Sequence, residues 1–401
     1  MEVGDDGALP PNRSNRTLSL TEFSEVKHKA ALRSAVRRKI DDDPSYATPM
    51  PREFSLQLTY ACNLRCTHCY QWSDQGFFHE YDADKVRSEL DISIVERVLA
   101  ETADTRAKVN LWGGEPLMYR RFPELVELLL KYPRLVNICT NGLLIKRNLD
   151  HIVKLGENLN VTVSLDGLGA DHEALRGPRT FARTEANLRA LLDLKRSGDF
   201  AGEVTFNCMV SNETVGRMHE FMEWAEDIGV RSVFFQLPWY ISPAVANDMD
   251  DLYEREFAWL NPVPARGTAT WHSYTYRLAP ENIPVLQESM RKLAGRQWRV
   301  WLRYQPEVTP DDVADFILGH PKPVAERSRC LSVSNRMEVH ADGKVSSCKF
   351  FPEFVVGDLS GGKSVAEVWQ SETFRRVRTA LRGTGLMPVC SKCFLLYESG
   401  V

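Results

Sequence analysis

No stretch of the 401 residues approaches eighteen consecutive apolar side chains, so nothing in the sequence reads as a membrane span. The opening residues, MEVGDDGALPPNRSNR, lack the basic start and apolar run of a secretory signal, which leads us to expect a cytoplasmic protein. An excess of either charge is also missing: 50 Lys and Arg stand against 54 Asp and Glu, a formal net charge of −4. That balance supplies no general attraction to phosphate backbones, so no nucleic-acid and no membrane partner is expected. There is no internal repeat and no low-complexity tract. Hydrophobic residues at 43% and charged residues at 26% describe an ordinary globular chain, long enough for more than one module.

What the sequence does have is nine cysteines. Disulfides seldom persist in a reducing compartment, so the thiols need another purpose. Cys62, Cys66 and Cys69 crowd into one short segment, and Cys330, Cys348, Cys390 and Cys393 fall near the end of the chain. Cys139 and Cys208 stand alone between them.

From about residue 54, short apolar runs alternate with longer amphipathic stretches. Residues 54–60, 109–112, 135–139, 159–165, 204–210 and 232–237 read as strands, and 122–132, 186–194 and 218–228 as helices. This alternation implies right-handed βαβ units and a parallel α/β sheet of six strands, an open or partial barrel. Beyond Pro238 the alternation stops, in a stretch rich in Trp, Tyr and Pro with helices expected at 250–259 and 284–293. In the last part, Asp342-Gly343 between alternating segments signals a hairpin, and one helix over 364–381 separates two pairs of cysteines. The expected division is an N-terminal extension (1–50), the barrel (51–240), an aromatic-rich connection (241–325) and a small α+β domain (326–401). In the extension, six of the thirteen residues from Lys27 to Lys39 are basic, which reads as a solvated helix face.

The run Cys62-Asn63-Leu64-Arg65-Cys66-Thr67-His68-Cys69 puts three thiols on one loop directly after a strand. Thiolates suit zinc, copper(I) or iron–sulfur clusters, and three of them cannot complete a tetrahedral zinc site. On a cubane cluster they would leave one iron open, at the strand end where parallel barrels place chemistry. Trp112-Gly113-Gly114-Glu115-Pro116 closes the second expected strand; its glycines allow close backbone approach to a ligand, and Glu115 offers a carboxylate to a cation. Thr140-Asn141-Gly142 ends the third strand and Ser164-Leu165-Asp166-Gly167 the fourth, followed by Asp171, His172 and Arg176.

Together these residues resemble the radical S-adenosylmethionine (radical SAM) enzymes over about residues 54–240, with His68 where the family signature has an aromatic residue. The resemblance implies a 4Fe–4S cluster on Cys62, Cys66 and Cys69. It places SAM against His68 and the Gly113-Gly114-Glu115 element, which would take the methionine ammonium. Ser164 would lie near the ribose, Arg176 near the carboxylate (with Arg179 and Arg183 also in reach), and Gln236 and Leu237 near the adenine. It further implies a flavodoxin- or ferredoxin-type reductant.

Cys330, Gly343 and Cys348, then Cys390-Ser391-Lys392-Cys393, resemble the opening of the SPASM and Twitch auxiliary-cluster domains. With four cysteines and none after Cys393, the resemblance implies a Twitch-type domain with one fully ligated 4Fe–4S cluster; a structural zinc ion is the alternative. Such a cluster is suited to taking an electron, hence net oxidation, though redox-neutral epimerisation or decarboxylation uses the same parts.

With no recognisable winged-helix recognition domain, we expect the substrate to be a small biosynthetic metabolite such as a sugar, nucleoside or antibiotic intermediate. A ribosomal peptide is the alternative. Cys139, beside the Thr-Asn-Gly turn, is the candidate hydrogen-atom donor, whereas Cys208 reads as a buried hydrophobe. Trp239, Tyr240, Trp271, Tyr274 and Tyr276 are candidates for a substrate wall, and Arg266, His272 and Arg277 for an acidic group of the substrate.

Overall fold

A computed structural model describes residues 20–323 and 327–399. The signal-peptide expectation falls on residues 1–16, outside these, as does the expected boundary at 325/326. One ten-stranded sheet organises the chain. Seven strands run parallel in sequence order: β1 (Glu53–Gln57), β2 (Lys108–Trp112), β3 (Val136–Thr140), β4 (Leu159–Ser164), β5 (Glu203–Met209), β6 (Ser232–Gln236) and β7 (Trp301–Gln305). Helices such as Phe122–Lys131, Thr180–Ser197 and Met218–Ile228 connect them.

The strands alternate because only one face is covered by helices. Val109 and Leu111, Val136 and Ile138, Val161 and Val163, and Val204 and Phe206 are buried in the main core. Between them Asn110, Asn137, Cys139, Asn160, Thr162 and Asn207 occupy the other face. There Asn160 Nδ2 and Thr162 Oγ1 both donate to Asn137 Oδ1 (2.6 and 2.8 Å), and Thr205 Oγ1 donates to Asn160 Oδ1 (2.9 Å). The inner face of the barrel is therefore polar across several strands.

Two expectations need correction. The alternation does not stop at Pro238: the helix Ile283–Ala294 leads to β7, which pairs with β6 from Ser232↔Trp301 to Gln236↔Gln305. The segment WLRYQ buries only Leu302 and Tyr304, and its Trp and Arg hid the strand among the surrounding aromatics. The single helix at 364–381 is two, Val365–Trp369 and Glu372–Thr384, because Ser371 caps a new start by accepting from Phe374 N.

The C-terminal part does not sit apart. Its strand β8 (Arg336–Val339) pairs in parallel with β1, and β9 (Lys344–Ser346) and β10 (Val355–Asp358) extend the sheet antiparallel. The hairpin turns at Gly343, whose φ of +80° few other residues adopt. The helix Leu20–Asp42 precedes the barrel, and its Val36 and Ile40 pack on Leu331. Among the described residues no helix is long and apolar enough to cross a membrane.

Candidate functional site

The cysteine loop leaves the end of β1 and is held there by the segment after β2. Gly114 N donates to Thr59 O and Glu115 N to Ala61 O, each at 2.8 Å. A Cβ on Gly113 would lie 2.4 Å from Thr59 O, and one on Gly114 2.2 Å from Ala61 O. The close approach expected of these glycines is thus to the cysteine loop's own backbone. Glu115 is buried and accepts three hydrogen bonds, from Leu117 N (3.0 Å), Thr140 Oγ1 (2.7 Å) and Asn141 N (2.8 Å). Burial pushes its pKa up while these donors pull it down. The carboxylate stitches β2 to the Thr-Asn-Gly turn, and Asn141 Nδ2 reaches back to Asn63 Oδ1 at 2.8 Å on the cysteine loop.

Cys66 is buried; Cys62 and Cys69 are half-buried. Burial pushes the Cys62 thiol up to about 11, with Glu115 and Cys69 adding to the rise. Cys66 is pushed up to about 12, again by burial first, although Arg176 opposes it. Three mutually repelling thiols in low dielectric become thiolates only when a cation joins them, which is the donor chemistry of a metal centre. Among the described residues no three His, Cys, Asp or Glu side chains are placed to hold a single metal ion. Three thiols leave one zinc ion a donor short of the four it takes at about 2.3 Å, whereas a polynuclear cluster accepts three thiolates and keeps one position open.

A charged network that sequence reasoning missed lies beside this loop. Asp166, fully buried at the end of β4, accepts from Arg176 Nε (2.6 Å) and Met209 N (2.8 Å). His68 Nε2 lies 3.6 Å from the same carboxylate. Asp166 N donates to His172 Nδ1 (3.1 Å), and Arg176 Nη1 donates to Cys66 Sγ (3.9 Å). Burial, reinforced by Arg176, pushes His68 down to about 4, so its ring is neutral near pH 7. Of the three candidate arginines, Arg176 is the buried one; Arg179 and Arg183 are exposed.

The strand alternation sorts the lone cysteines. Cys139 faces the polar inner side, within hydrogen-bonding reach of the Ser164 hydroxyl. Cys208, one strand face away, lies in the apolar core. Lys349, also missed, comes from the C-terminal part, and its charge acts on Cys139. Its Nζ stands over the rings of Trp112 (5.1 Å) and Phe394 (5.4 Å). Gln236 and Leu237 tie the end of β6 to β7: Gln236 Nε2 donates to Gln305 O (3.0 Å) and Leu237 N to the same oxygen (2.9 Å). The Leu237 side chain is in the core, which leaves only its backbone for a ligand.

The second thiol set surrounds a cavity of about 340 Å³. Cys330, Cys348, Cys390 and Cys393 line it together with Arg336, Glu338 and Lys349 at its barrel side and Ile40 and Asp41 of the N-terminal helix. Each of Cys348, Cys390 and Cys393 is pushed up by burial first and then by the neighbouring thiols. Four thiols lining one cavity of this size fit a four-ligand cluster.

The polar candidates of the aromatic-rich stretch are already engaged. His272 Nε2 pairs with Asp250 (3.0 Å) and Arg266 with Asp251 (3.2 Å), while Arg277 lies over the Tyr240 ring (5.6 Å). Trp271 and Tyr274 are buried in a second core with Phe350 and Phe351, so they join the modules rather than wall a substrate. Tyr70, next to Cys69, stacks on Tyr274 at 4.6 Å, and Tyr276 meets the His68 ring at 5.7 Å.

The comparisons agree with this geometry. Residues 56–225 match the radical SAM superfamily model, and residues 330–394 match the SPASM iron–sulfur cluster-binding domain. A subtilosin biosynthesis protein of Bacillus subtilis, AlbA, is 26% identical over 201 residues, 49% of this chain and 42% of that protein. The chain spans less than half the length of this and other curated relatives it matches. An AdoMet-dependent heme synthase of Methanosarcina barkeri is 25% identical over 355 residues, 86% of this chain and 89% of the relative. The crystal structure of Streptococcus suis SuiB bound to its precursor peptide SuiA superposes with a TM-score of 0.57. It covers 90% of this chain and 72% of SuiB at 14% identity, a likeness of fold.

Proposed function

Because the chain belongs to the radical SAM superfamily and carries a SPASM-type iron–sulfur domain, we propose that it is a maturase acting on a peptide, with net oxidation of one residue. Its domains imply SAM and iron–sulfur clusters as cofactors. When bound, these groups would supply hydrogen-atom abstraction from the substrate and an acceptor for the electron left behind, the proton going to a base. Cys62, Cys66 and Cys69 would hold one cluster, and Cys330, Cys348, Cys390 and Cys393 a second.

The observation that carries this reading is that Lys349 lines the cavity of the second thiol set and also acts on Cys139, which lies within reach of Ser164 on the inner face. The chain's own residues bind and orient. Thr140, Asn141 and Glu115 fix the loop that would meet SAM, the Gly113–Gly114 backbone is the candidate for its ammonium, and Ser164 for its ribose. Lys349 has no carboxylate in ion-pair contact among the described residues, so its ammonium is available to a carbonyl or carboxylate of the substrate. Expulsion of water from this face would strengthen each such contact.

The peptide reading gains on the small-metabolite expectation because relatives such as AlbA are named for bacteriocin biosynthesis. The metabolite reading is kept by the match to a heme synthase over most of both chains. Anaerobic reconstitution with iron and sulfide counts, followed by dithionite and SAM, tests the shared part. About eight irons per chain with 5′-deoxyadenosine formation is expected, from a flavodoxin- or ferredoxin-type donor as well. Mass spectrometry of precursor peptides encoded near the gene then tests the substrate. A peptide lacking two hydrogens supports maturation; turnover only with a non-peptide metabolite overturns it.

A further inference from the structure

Arg176 was expected to face the carboxylate of SAM. In the structure its guanidinium is committed elsewhere, with Nε on Asp166 Oδ2 at 2.6 Å and Nη1 on the Cys66 sulfur at 3.9 Å. Both charged partners are buried, and the Asp166 carboxylate is fixed on its other oxygen by the backbone N–H of Met209 at 2.8 Å. The loop and the helix Ala170–Arg176 are joined independently, since Thr67 N donates to Leu175 O at 2.9 Å. Arg176 thus cannot swing away without breaking a buried ion pair, a change that is strongly destabilising.

We propose that Arg176, held by Asp166, is a positioning residue whose charge sets the reduction potential of the iron–sulfur cluster on Cys66, rather than the anchor of the SAM carboxylate. The inference rests on the reading of the first thiol set as a cluster site. Reduction adds one electron to the cluster, and a fixed cation against one of its sulfur ligands favours the more negative state. Asp166 tempers the effect, because its carboxylate neutralises part of that cation at 2.6 Å. His68 stands on the other side of the same carboxylate, its Nε2 3.6 Å from Asp166 Oδ2. The arrangement resembles the tuning of metal centres by hydrogen bonds and charge behind the ligands.

The two members therefore have opposite predicted effects, which a packing role would not give. The measurement is a dithionite-poised EPR titration of the first cluster in the full chain carrying Cys330→Ala and Cys348→Ala, so that the second cluster does not contribute. Arg176→Gln should lower the midpoint, with about tenfold less reduced cluster at a fixed potential, equivalent to 59 mV for one electron. Asp166→Asn should raise it, and Arg176→Lys should stay near the parent. SAM affinity, by equilibrium dialysis of labelled SAM on the oxidised protein, should change little in Arg176→Gln. Shifts of the same sign in both variants, or no shift, overturn the proposal, as does an unchanged midpoint with lost SAM affinity. If Arg176→Gln fails to assemble, Asp166→Asn still decides: a raised midpoint supports the proposal, and a lowered or unchanged one overturns it. No cluster signal even in the parent would instead remove the reading of the first thiol set.

Discussion

The two thiol sets are walled in different ways. The first sits on a loop pinned from three sides: by the Gly114 and Glu115 backbone, by Asn141 on Asn63, and by Leu175 on Thr67. Its three sulfurs are held by backbone and by one buried arginine. The second set instead rings a cavity of about 340 Å³, closed by separate elements that include the N-terminal helix. A pinned loop with three ligands keeps one coordination position for a reactant. Four thiols lining a cavity would saturate a cluster that needs no open position. Under the proposed function, the first would serve SAM chemistry and the second electron acceptance.

The sharpest test of that contrast exchanges one thiol in each set. Cys66→Ala should abolish 5′-deoxyadenosine formation while the second set keeps about four irons. Cys390→Ala should keep SAM cleavage and lose the oxidised product. Equal loss of SAM cleavage in both variants would erase the distinction.

A second test compares glycines rather than sulfurs. Gly114→Ala would push a methyl to 2.2 Å from Ala61 O, against backbone that is itself hydrogen-bonded. We expect a cost of about 1–3 kcal/mol or more, with iron lost from the first set. Gly361→Ala, near the second set's domain, points into open space and should stay within about 0.5 kcal/mol. Thermal denaturation of the two variants measures the difference; equal melting would mean that the first loop is not pinned as described.

These contrasts show which features can be read from sequence. That the cysteines fall into a group of three and a group of four was legible from their spacing alone. The first six strands were legible because V-N-L-W, V-N-I-C and V-T-V-S alternate between a helix-covered face and a polar one. Asp166 was legible as part of the motif that ends the fourth strand, but its contacts were not. Its partners Arg176, His68 and Met209 meet it only after the strands are ordered. Lys349 was hidden for the same reason: it lies far along the chain from Trp112 and reaches it because β8 pairs with β1. That the Leu237 side chain packs into the core was not legible either, because its place at a strand end says nothing of which way it packs.

A smaller effect separates the lone cysteines that lie between the two regimes. Cys139→Ala should leave the oxidised product and SAM cleavage in place, because an oxidation returns no hydrogen atom to the substrate; lost product with SAM cleavage spared would instead make Cys139 the hydrogen donor of a redox-neutral reaction. Cys208→Ala should leave chemistry alone and cost about 1 kcal/mol from the core, read by denaturant unfolding.

The smallest expected effect concerns the cover of the second cavity. Ile40 lines that cavity and packs with Val36 on Leu331, while Asp41 pairs with Arg329 just beside it. Few contacts hold the end of this helix, so Ile40→Asp should loosen it without unfolding the barrel: a carboxylate cannot stay unpaired in an apolar wall. The second cluster should then bleach several-fold faster in air. The rate would be followed by visible absorbance in a chain whose Cys62, Cys66 and Cys69 are replaced by Ala. The same substitution in a chain lacking Cys330 and Cys348 should leave the first cluster's rate unchanged, because its walls come from β2, β3 and the helix Ala170–Arg176. Equal bleaching with and without Ile40 would show that the cage does not depend on the N-terminal helix, and that shielding comes from the aromatic core around Phe350 alone.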